Sequence, residues 1–205
     1  MKPKLIIFAS GSKDGGGSGF ENLVLHSRVG ELDADIVAVV SNHENGGVRK
    51  RADTLGIPSI YFPGPYDAEN YSSILQKTAI AKDEIWVALS GWLKMVHGLD
   101  PAKTFNIHPA PLSFFGRRFG GDKMYGHNLH VAIADALAKG EISESGVSMH
   151  FVTEKYDEGP VFFEYRVPLQ MGMSADDIQK LVNAAEHKWQ PLYERIECGV
   201  SSTGS

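Results

Sequence analysis

The first half of the chain alternates between short, almost wholly apolar runs and segments in which apolar residues recur every three or four positions. The apolar runs are typical of buried strands. They occupy residues 4–9, 35–41, 58–62 and 84–89. The helically spaced segments occupy residues 20–29, 48–55 and 68–80. Strands and helices that alternate in this way predict right-handed βαβ units and a parallel sheet.

The second half of the chain has a different pattern. Residues 109–125 show no periodicity, and a loop of this length in a compact domain indicates either a functional loop or a mobile lid. A serine at position 174, followed by acidic residues, predicts the start of a last helix that runs to about residue 197. The other predicted elements are strands at 104–108, 146–153 and 161–167 and a helix at 127–139.

Bulk composition excludes several classes of protein. The formal net charge of −5 leaves no basic excess for a nucleic-acid partner. The apolar run near the N-terminus is too short to be a signal segment or a membrane span. Cys198 is the single cysteine, which suits a reducing cytoplasm and rules out a cysteine-based metal site. The histidines lack the His-Glu-x-x-His spacing, so the sequence predicts no metal, no membrane and a cytoplasmic location.

Two polar side chains lie at the end of the predicted strand 104–108. Residues i and i+2 of a strand point to the same face, so Asn106 and His108 project side by side, at the edge where α/β sheets bind ligands. Asp157 lies in a predicted turn, where its carboxylate is expected to orient the imidazole and raise its pKa above about 6.5. Asn106 and His108 alone fit a structural pair as well as a catalytic one. Asp157 shifts the balance toward catalysis, and ordinary turn chemistry is its alternative.

A glycine- and serine-rich loop, residues 10–19, joins the first strand to the first helix. Such a loop can bind phosphate through backbone N–H groups at a helix N-terminus. It matches neither the dinucleotide fingerprint nor the Walker motif, and no acidic residue ends the second strand to hold a ribose. Binding of a phosphate monoester is therefore favoured over NAD, and a flexible surface loop is the alternative.

Two motifs give the sequence a resemblance to the folate-dependent formyltransferases, over about residues 4–197. The first is Asn106-Ile107-His108-Pro109, and the second is the Gly-x-Ser-x-His-x-Val…Asp-x-Gly-Pro pattern of residues 146–161. The resemblance implies a Rossmann-like formyltransferase fold. Its twisted sheet is mostly parallel, with helices on both faces and antiparallel strand(s) in the C-terminal half. We expect one domain at 1–198 and a disordered tail at 199–205.

The resemblance also implies a reaction. The formyl group of 10-formyltetrahydrofolate passes to the amine of glycinamide ribonucleotide, in de novo purine biosynthesis, through a tetrahedral intermediate. Asn106 and a protonated His108 would hydrogen-bond the formyl oxygen, and Asp157 would hold His108 and a relaying water. The alternatives are an N-formyltransferase acting on a nucleotide-linked amino sugar and a non-catalytic nucleotide-binding module. The protein is expected to be a monomer or homodimer.

The remaining site residues are assigned by the same resemblance. Glu186 would bind the ribose hydroxyls. His150 would contribute to the chemistry or, as is favoured, support packing or the turn. The N-terminal half would bind the substrate phosphate through Gly11, Ser12, Ser18 and Gly19. Formyl folate would lie against Leu89, Trp92, Lys94, Met95 and Val96, in a site assigned to the C-terminal, catalytic half.

Several positions depart from the family pattern, and most of them bear on the acceptor. The phosphate loop is longer than usual and lacks the family's asparagine, and Asn183 stands where a basic residue is common. The segment after Pro109 carries Arg117 and Arg118, which could supply charge to a phosphate or lie in a solvated loop. On the folate side, Lys94 replaces an arginine, and the two cations are not equivalent where a fork of donors is needed.

Overall fold

The structure is a computed structural model that describes residues 2–113, 115–121 and 123–199. Its strands hydrogen-bond in the order β3-β2-β1-β4-β5-β6-β7. The strands are β1 (Lys4–Phe8), β2 (Asp35–Ser41), β3 (Ser59–Tyr61), β4 (Ile85–Leu89), β5 (Thr104–His108), β6 (Glu144–Phe151) and β7 (Val161–Pro168). The helices are α1 (Ser18–Arg28), α2 (Gly47–Leu55), α3 (Ala68–Gln76), α4 (Gly126–Ala138) and α5 (Ala175–Gly199).

This topology confirms the predicted fold class. β1 is parallel to both β2 and β4, and β2 is parallel to β3. β6 and β7 are antiparallel, as expected for the C-terminal half. The chain divides within β5 into two compact units. The first unit holds residues up to Phe105 and those from Gln190 onward, and the second holds Asn106–Trp189.

In the first unit, β1 lies in the interior of the sheet and its apolar run is fully buried from Leu5 to Phe8. A strand covered on both faces needs such a continuous run, which is why the pattern predicted it correctly. The predicted helix at 68–80 ends earlier, at Gln76. The hydroxyl of Thr78 donates to the Leu75 carbonyl at 2.7 Å, a local bond that competes with helix continuation.

The second unit has its own core, built from α4, α5 and the strands β6 and β7 around Leu129, Ile133 and Ile178. Ser174 caps α5, because its hydroxyl accepts from the Asp177 N–H at 3.2 Å. A β-bulge interrupts the β6–β7 register between Met149 and His150. The predicted tail lies outside the described residues, apart from Gly199, which ends α5.

Within residues 2–113, 115–121 and 123–199, no helix combines the length and apolar character needed to cross a bilayer. In the same part of the chain, no three His, Cys, Asp or Glu side chains are grouped as ligands for a metal ion. The cytoplasmic location and the monomer-or-homodimer state stay predictions.

Candidate active site

β5 places the two polar side chains of the Asn-x-His motif. Asn106 is partly exposed, whereas His108 is only 4% exposed. Ile107, between them, is buried on the opposite face of the strand. The chain beyond the motif is fixed by Ser148 of β6, whose buried hydroxyl donates to the Ala110 carbonyl and accepts from the Leu112 N–H, both at 2.8 Å.

The turn between β6 and β7 brings Asp157 to His108. Asp157 has a left-handed backbone (φ 53°), which Asp tolerates better than most residues. Its carboxylate is largely buried, and Oδ2 lies 3.6 Å from His108 Nδ1. The turn depends on Gly159, since a Cβ there would lie 1.7 Å from the Phe151 carbonyl oxygen. Asp157 and His108, which the sequence pattern paired, therefore lie side by side.

The two ring nitrogens of His108 have different roles. Nε2 lies 2.6 Å from the carbonyl oxygen of Phe119, which can only accept, so Nε2 carries the proton. Nδ1, facing Asp157, is the nitrogen that titrates. Burial lowers the pKa of His108 below 6.5, and the charge of Asp157 and the Phe119 carbonyl offset this only in part. The expected rise in pKa is therefore wrong, because desolvation exceeds the effect of the carboxylate.

His150 connects the other members of the site, a larger role than the packing or turn support favoured from the sequence. Its Nδ1–H donates to the Phe151 carbonyl at 2.9 Å, so Nε2 is its variable nitrogen. That nitrogen lies 3.1 Å from Asn106 Nδ2 and 3.4 Å from Asp157 Oδ1. Nε2 therefore lies between the Asn106 amide, which can donate to it, and the Asp157 carboxylate. The bulge at this position of β6 is a feature that often re-aims a side chain.

The loop at residues 115–121 encloses the carboxylate. The Gly121 N–H donates to Asp157 Oδ2 at 2.8 Å, and the Arg117 guanidinium donates to the Asp157 carbonyl. Burial raises the pKa of Asp157, but the hydrogen bond from His150 and the charge of His108 exceed this effect. The net pKa lies below 3.8, so the carboxylate is ionised at neutral pH. No motif in this loop could have predicted these contacts.

The second arginine of that loop is paired elsewhere. Arg118 Nη2 lies 2.6 Å from Glu141 Oε2, and its guanidinium lies over the ring of Phe119. Both arginines therefore make contacts within the second unit. Contact of either one with a substrate stays a prediction.

In the first unit, the glycine-rich loop folds tightly before α1. Gly11 has a left-handed backbone (φ 64°), and the Ser12 hydroxyl accepts from the Gly15 N–H at 3.0 Å. α1 begins at Ser18, and in the described structure no side chain caps its N-terminus. Its first N–H groups are thus available to an anion, which suits the predicted role of Ser18 and Gly19. The Ser12 hydroxyl is engaged in the turn.

The segment predicted to bind folate follows β4 and is anchored by aromatic packing. Trp92 is 7% exposed, stacks on Phe62 with ring centroids 6.2 Å apart, and donates Nε1–H to the Tyr71 hydroxyl at 2.9 Å. The Tyr71 hydroxyl donates in turn to the Met95 carbonyl at 2.9 Å. Lys94 Nζ lies over the Tyr66 ring. Leu89 and Val96 are buried too, so the side chains mainly fix the course of this segment.

Glu186, the predicted ribose-binding residue, lies on α5 and is partly buried. Asn183, one turn earlier, donates its amide to Glu186 Oε2 at 3.1 Å. Burial raises the pKa of Glu186 to about 7, although the hydrogen bond from Asn183 acts to lower it. An unionised Glu186 below neutral pH can itself donate a hydrogen bond.

Replacing Glu186 by glutamine is expected to change the pH dependence of stability. The unfolded carboxyl ionises near 4.5 and the folded one near 7, so wild-type stability falls as pH rises between these values. We expect E186Q to match the wild type at pH 4.5 and to be more stable by about 3 kcal/mol at pH 7.5. Urea unfolding at both pH values measures this difference.

The comparison with the wild type is essential because two histidines act in the opposite direction. Burial lowers the pKa of His108, and that of His130 to about 4, so their contributions to stability grow as pH rises. These contributions cancel in the difference between E186Q and the wild type. The exposed Glu154→Gln is the matched control and should show no such pH-dependent gain. An E186Q difference that stays constant between the two pH values would contradict the assignment.

Comparison with known proteins identifies relatives that carry out formyl transfer. The chain is 31% identical over 198 residues to the chloroplastic phosphoribosylglycinamide formyltransferase of Arabidopsis thaliana, covering 91% of this chain and 62% of that protein. The chain thus spans about three fifths of the plant relative's length. It is also 26% identical over 211 residues to the phosphoribosylglycinamide formyltransferase of Bacillus subtilis (strain 168). That alignment covers 98% of this chain and 97% of the Bacillus protein.

Solved structures agree on the fold. The crystal structure of glycinamide ribonucleotide transformylase 1 from Symbiobacterium toebii superimposes with a TM-score of 0.78 at 22% identity, covering 100% of this chain and 91% of that one. The formyl transferase family model matches residues 3–193, which include the Asn-x-His-Pro motif and the turn that bears Asp157. This protein belongs to the formyl transferase family.

Proposed function

We propose that this protein transfers the formyl group of 10-formyltetrahydrofolate to the amine of glycinamide ribonucleotide. The observation that carries the proposal is the continuous polar network of Asn106, His150, Asp157 and His108. It combines neutral donors, an ionised carboxylate and two imidazoles in one largely buried place. Both named relatives are phosphoribosylglycinamide formyltransferases, which supports the choice of acceptor.

The first step is attack of the amine lone pair on the formyl carbon, which moves electron density onto the formyl oxygen. Asn106 has one amide N–H directed at His150 and a second one left for that oxygen. A donor aimed at a developing oxyanion contributes about 3 kcal/mol. The carbon–nitrogen bond to the folate then breaks, the amine loses a proton, and the folate nitrogen gains one.

His108 is the second donor in this scheme. Its Nε2–H donates to the Phe119 carbonyl oxygen, the same kind of acceptor that a formyl oxygen would be. We propose that the formyl oxygen replaces the Phe119 carbonyl on Nε2, which requires the loop at 115–121 to shift. Because burial lowers the pKa of His108, the donor at neutral pH is the neutral ring rather than an imidazolium.

Asp157 is the proposed proton acceptor. It is ionised at neutral pH, it is hydrogen-bonded by the Gly121 N–H, and it has an imidazole on each oxygen. The proton leaves the amine, directly or through a water, and passes to the Asp157 carboxylate. The His150 ring beside the carboxylate is held in place by its contact with the Phe151 carbonyl.

The remaining contacts of the proposal lie in the first unit and on α5. Backbone groups at Gly11, Ser18 and Gly19 would bind the acceptor phosphate, and Glu186 would bind its ribose. Residues 89–96 would bind the folate. These roles come from the family pattern. The N-terminus of α1, which no described side chain caps, supports the phosphate-binding role.

A spectrophotometric assay of folate product with a panel of amines tests the function. We expect turnover with glycinamide ribonucleotide and none with a nucleotide-linked amino sugar. Glycinamide ribonucleotide at millimolar concentration should also raise the melting temperature, because a ligand that binds only the folded state stabilises it. Turnover with the amino sugar alone would show that the acceptor is a nucleotide-linked amino sugar and not glycinamide ribonucleotide. Binding without turnover would indicate a non-catalytic nucleotide-binding module.

A further inference from the structure

Ser10, immediately after β1, contacts the segment that follows β4. Its N–H donates to the Gly91 carbonyl at 3.0 Å, and its hydroxyl accepts from the Leu93 N–H at 3.0 Å. Its carbonyl accepts from the Ser41 hydroxyl at 3.1 Å. Ser10 is 2% exposed, and its bond with the Ser41 hydroxyl is fully buried. One residue thus uses its N–H, its carbonyl and its side chain to hold this part of the first unit.

A second contact joins the same two segments farther along the loop. The Ser90 hydroxyl lies 2.2 Å from the point where a Cβ on Gly19 would stand, so it packs directly on the loop backbone. This hydroxyl donates to Gln190 Oε1 at 3.4 Å. The glycine-rich loop and the segment after β4 therefore touch at the beginning and at the end of the loop.

Sheet geometry explains only part of this arrangement. β1 and β4 are parallel neighbours, so backbone bonds between their ends are expected. The bond from the Leu93 N–H to the Ser10 hydroxyl is different, because it lies beyond both strands and involves a side chain. Leu93 is 43% exposed, so its N–H is held in place while its side chain points to solvent. The hydroxyl of Ser10 is what fixes the backbone there.

We propose that Ser10 is a positioning residue that couples the two ligands, by fixing residues 90–93 against the loop at 11–19. The inference rests on the proposed function, in which the loop holds the acceptor phosphate and residues 89–96 hold the folate. A ligand that orders one segment orders the other through Ser10, so the second ligand binds to a site with less freedom left to lose. The coupling must be reciprocal.

Calorimetric titration of the full chain tests the proposal. The probes are glycinamide ribonucleotide and tetrahydrofolate, which cannot react together because the formyl group is missing. We expect each to tighten the binding of the other by about fivefold or more in the wild type. In Ser10→Ala, each ligand alone should bind within about threefold of the wild type, and the coupling factor should fall to about one.

The controls separate coupling from a general loss of structure. Ser145 is as buried as Ser10, but its hydroxyl has no hydrogen-bond partner among the described residues, so Ser145→Ala should keep the coupling. Ser90→Ala removes the second contact and should weaken the coupling even if Ser10→Ala fails to fold. Wild-type protein that binds both ligands without coupling, or a folded S10A variant that retains it, overturns the proposal. Failure of the wild type to bind either ligand overturns the proposed function instead.

Discussion

Replacing Asp157 by asparagine is expected to lower kcat/KM for formyl transfer by about 10²- to 10⁴-fold. The side chain keeps its shape, its amide oxygen can still accept from the Gly121 N–H, and asparagine tolerates the left-handed backbone at this position. What is lost is the negative charge between His108 and His150. Initial rates across a range of acceptor concentrations measure kcat/KM. A urea unfolding curve separately measures the free energy of unfolding of the variant.

Glu158→Gln is the matched control, because Glu158 is the next residue of the same turn and is exposed. It pairs at 3.4 Å with Lys155, also exposed, and surface pairs of this kind contribute little to stability. We expect E158Q to retain wild-type kcat/KM and stability. A D157N variant with more than about a tenth of wild-type kcat/KM would remove Asp157 from the proposed chemistry.

The fold could be predicted because its information is local and repeated. Each buried parallel strand needs a continuous apolar run, and each amphipathic helix needs a recurring apolar face. β1 and α1 can therefore be predicted from the sequence without knowledge of tertiary contacts. Boundaries were wrong where a single side chain decided them, as with Thr78 after α3. Alternation along β5 also placed Asn106 and His108 correctly on one face.

The site was only partly predictable because its electrostatics depend on burial. An exposed imidazole beside a carboxylate has a raised pKa, and the sequence gives no measure of how dry His108 is. In the structure it is 4% exposed, and desolvation decides the sign. The role of His150 was weakly predictable from the sequence, because His150 follows Ser148 at strand spacing and the two side chains point to the same face of β6. In the structure, Ser148 hydrogen-bonds Leu112 and His150 contacts Asn106. Phe119 and Gly121 had none, because they belong to a loop without periodicity.

In the first unit, the role of the side chains in the predicted folate segment was also not predictable from the sequence. An aromatic residue in a loop after a parallel strand fits a ligand contact or a buried plug equally well. Trp92 makes contacts of the second kind, with Phe62, Phe8 and the Tyr71 hydroxyl. Its side chain can therefore serve folate binding by holding the backbone of the segment in place.

Replacing Gly159 by alanine is expected to lower both stability and activity. The new methyl group would lie 1.7 Å from the Phe151 carbonyl oxygen and 2.8 Å from its carbon, so backbone rather than a flexible side chain would have to move. We expect a loss of about 3 kcal/mol in the free energy of unfolding, at the upper end for overpacking. Urea unfolding measures this loss, and steady-state kinetics measures the accompanying fall in kcat/KM.

The comparison with D157N tests whether turn geometry and carboxylate charge are separable. In G159A the turn must move away from β6, which carries Asp157 away from His108 and His150, so activity falls because the charge is displaced. In D157N the turn stays and the charge disappears, so activity falls with a smaller loss of stability than in G159A. Gly15→Ala is the steric control, because its nearest neighbour would be the Ser12 hydroxyl at an ordinary 3.5 Å. A G159A variant with wild-type stability would show that the turn is not held by this close approach.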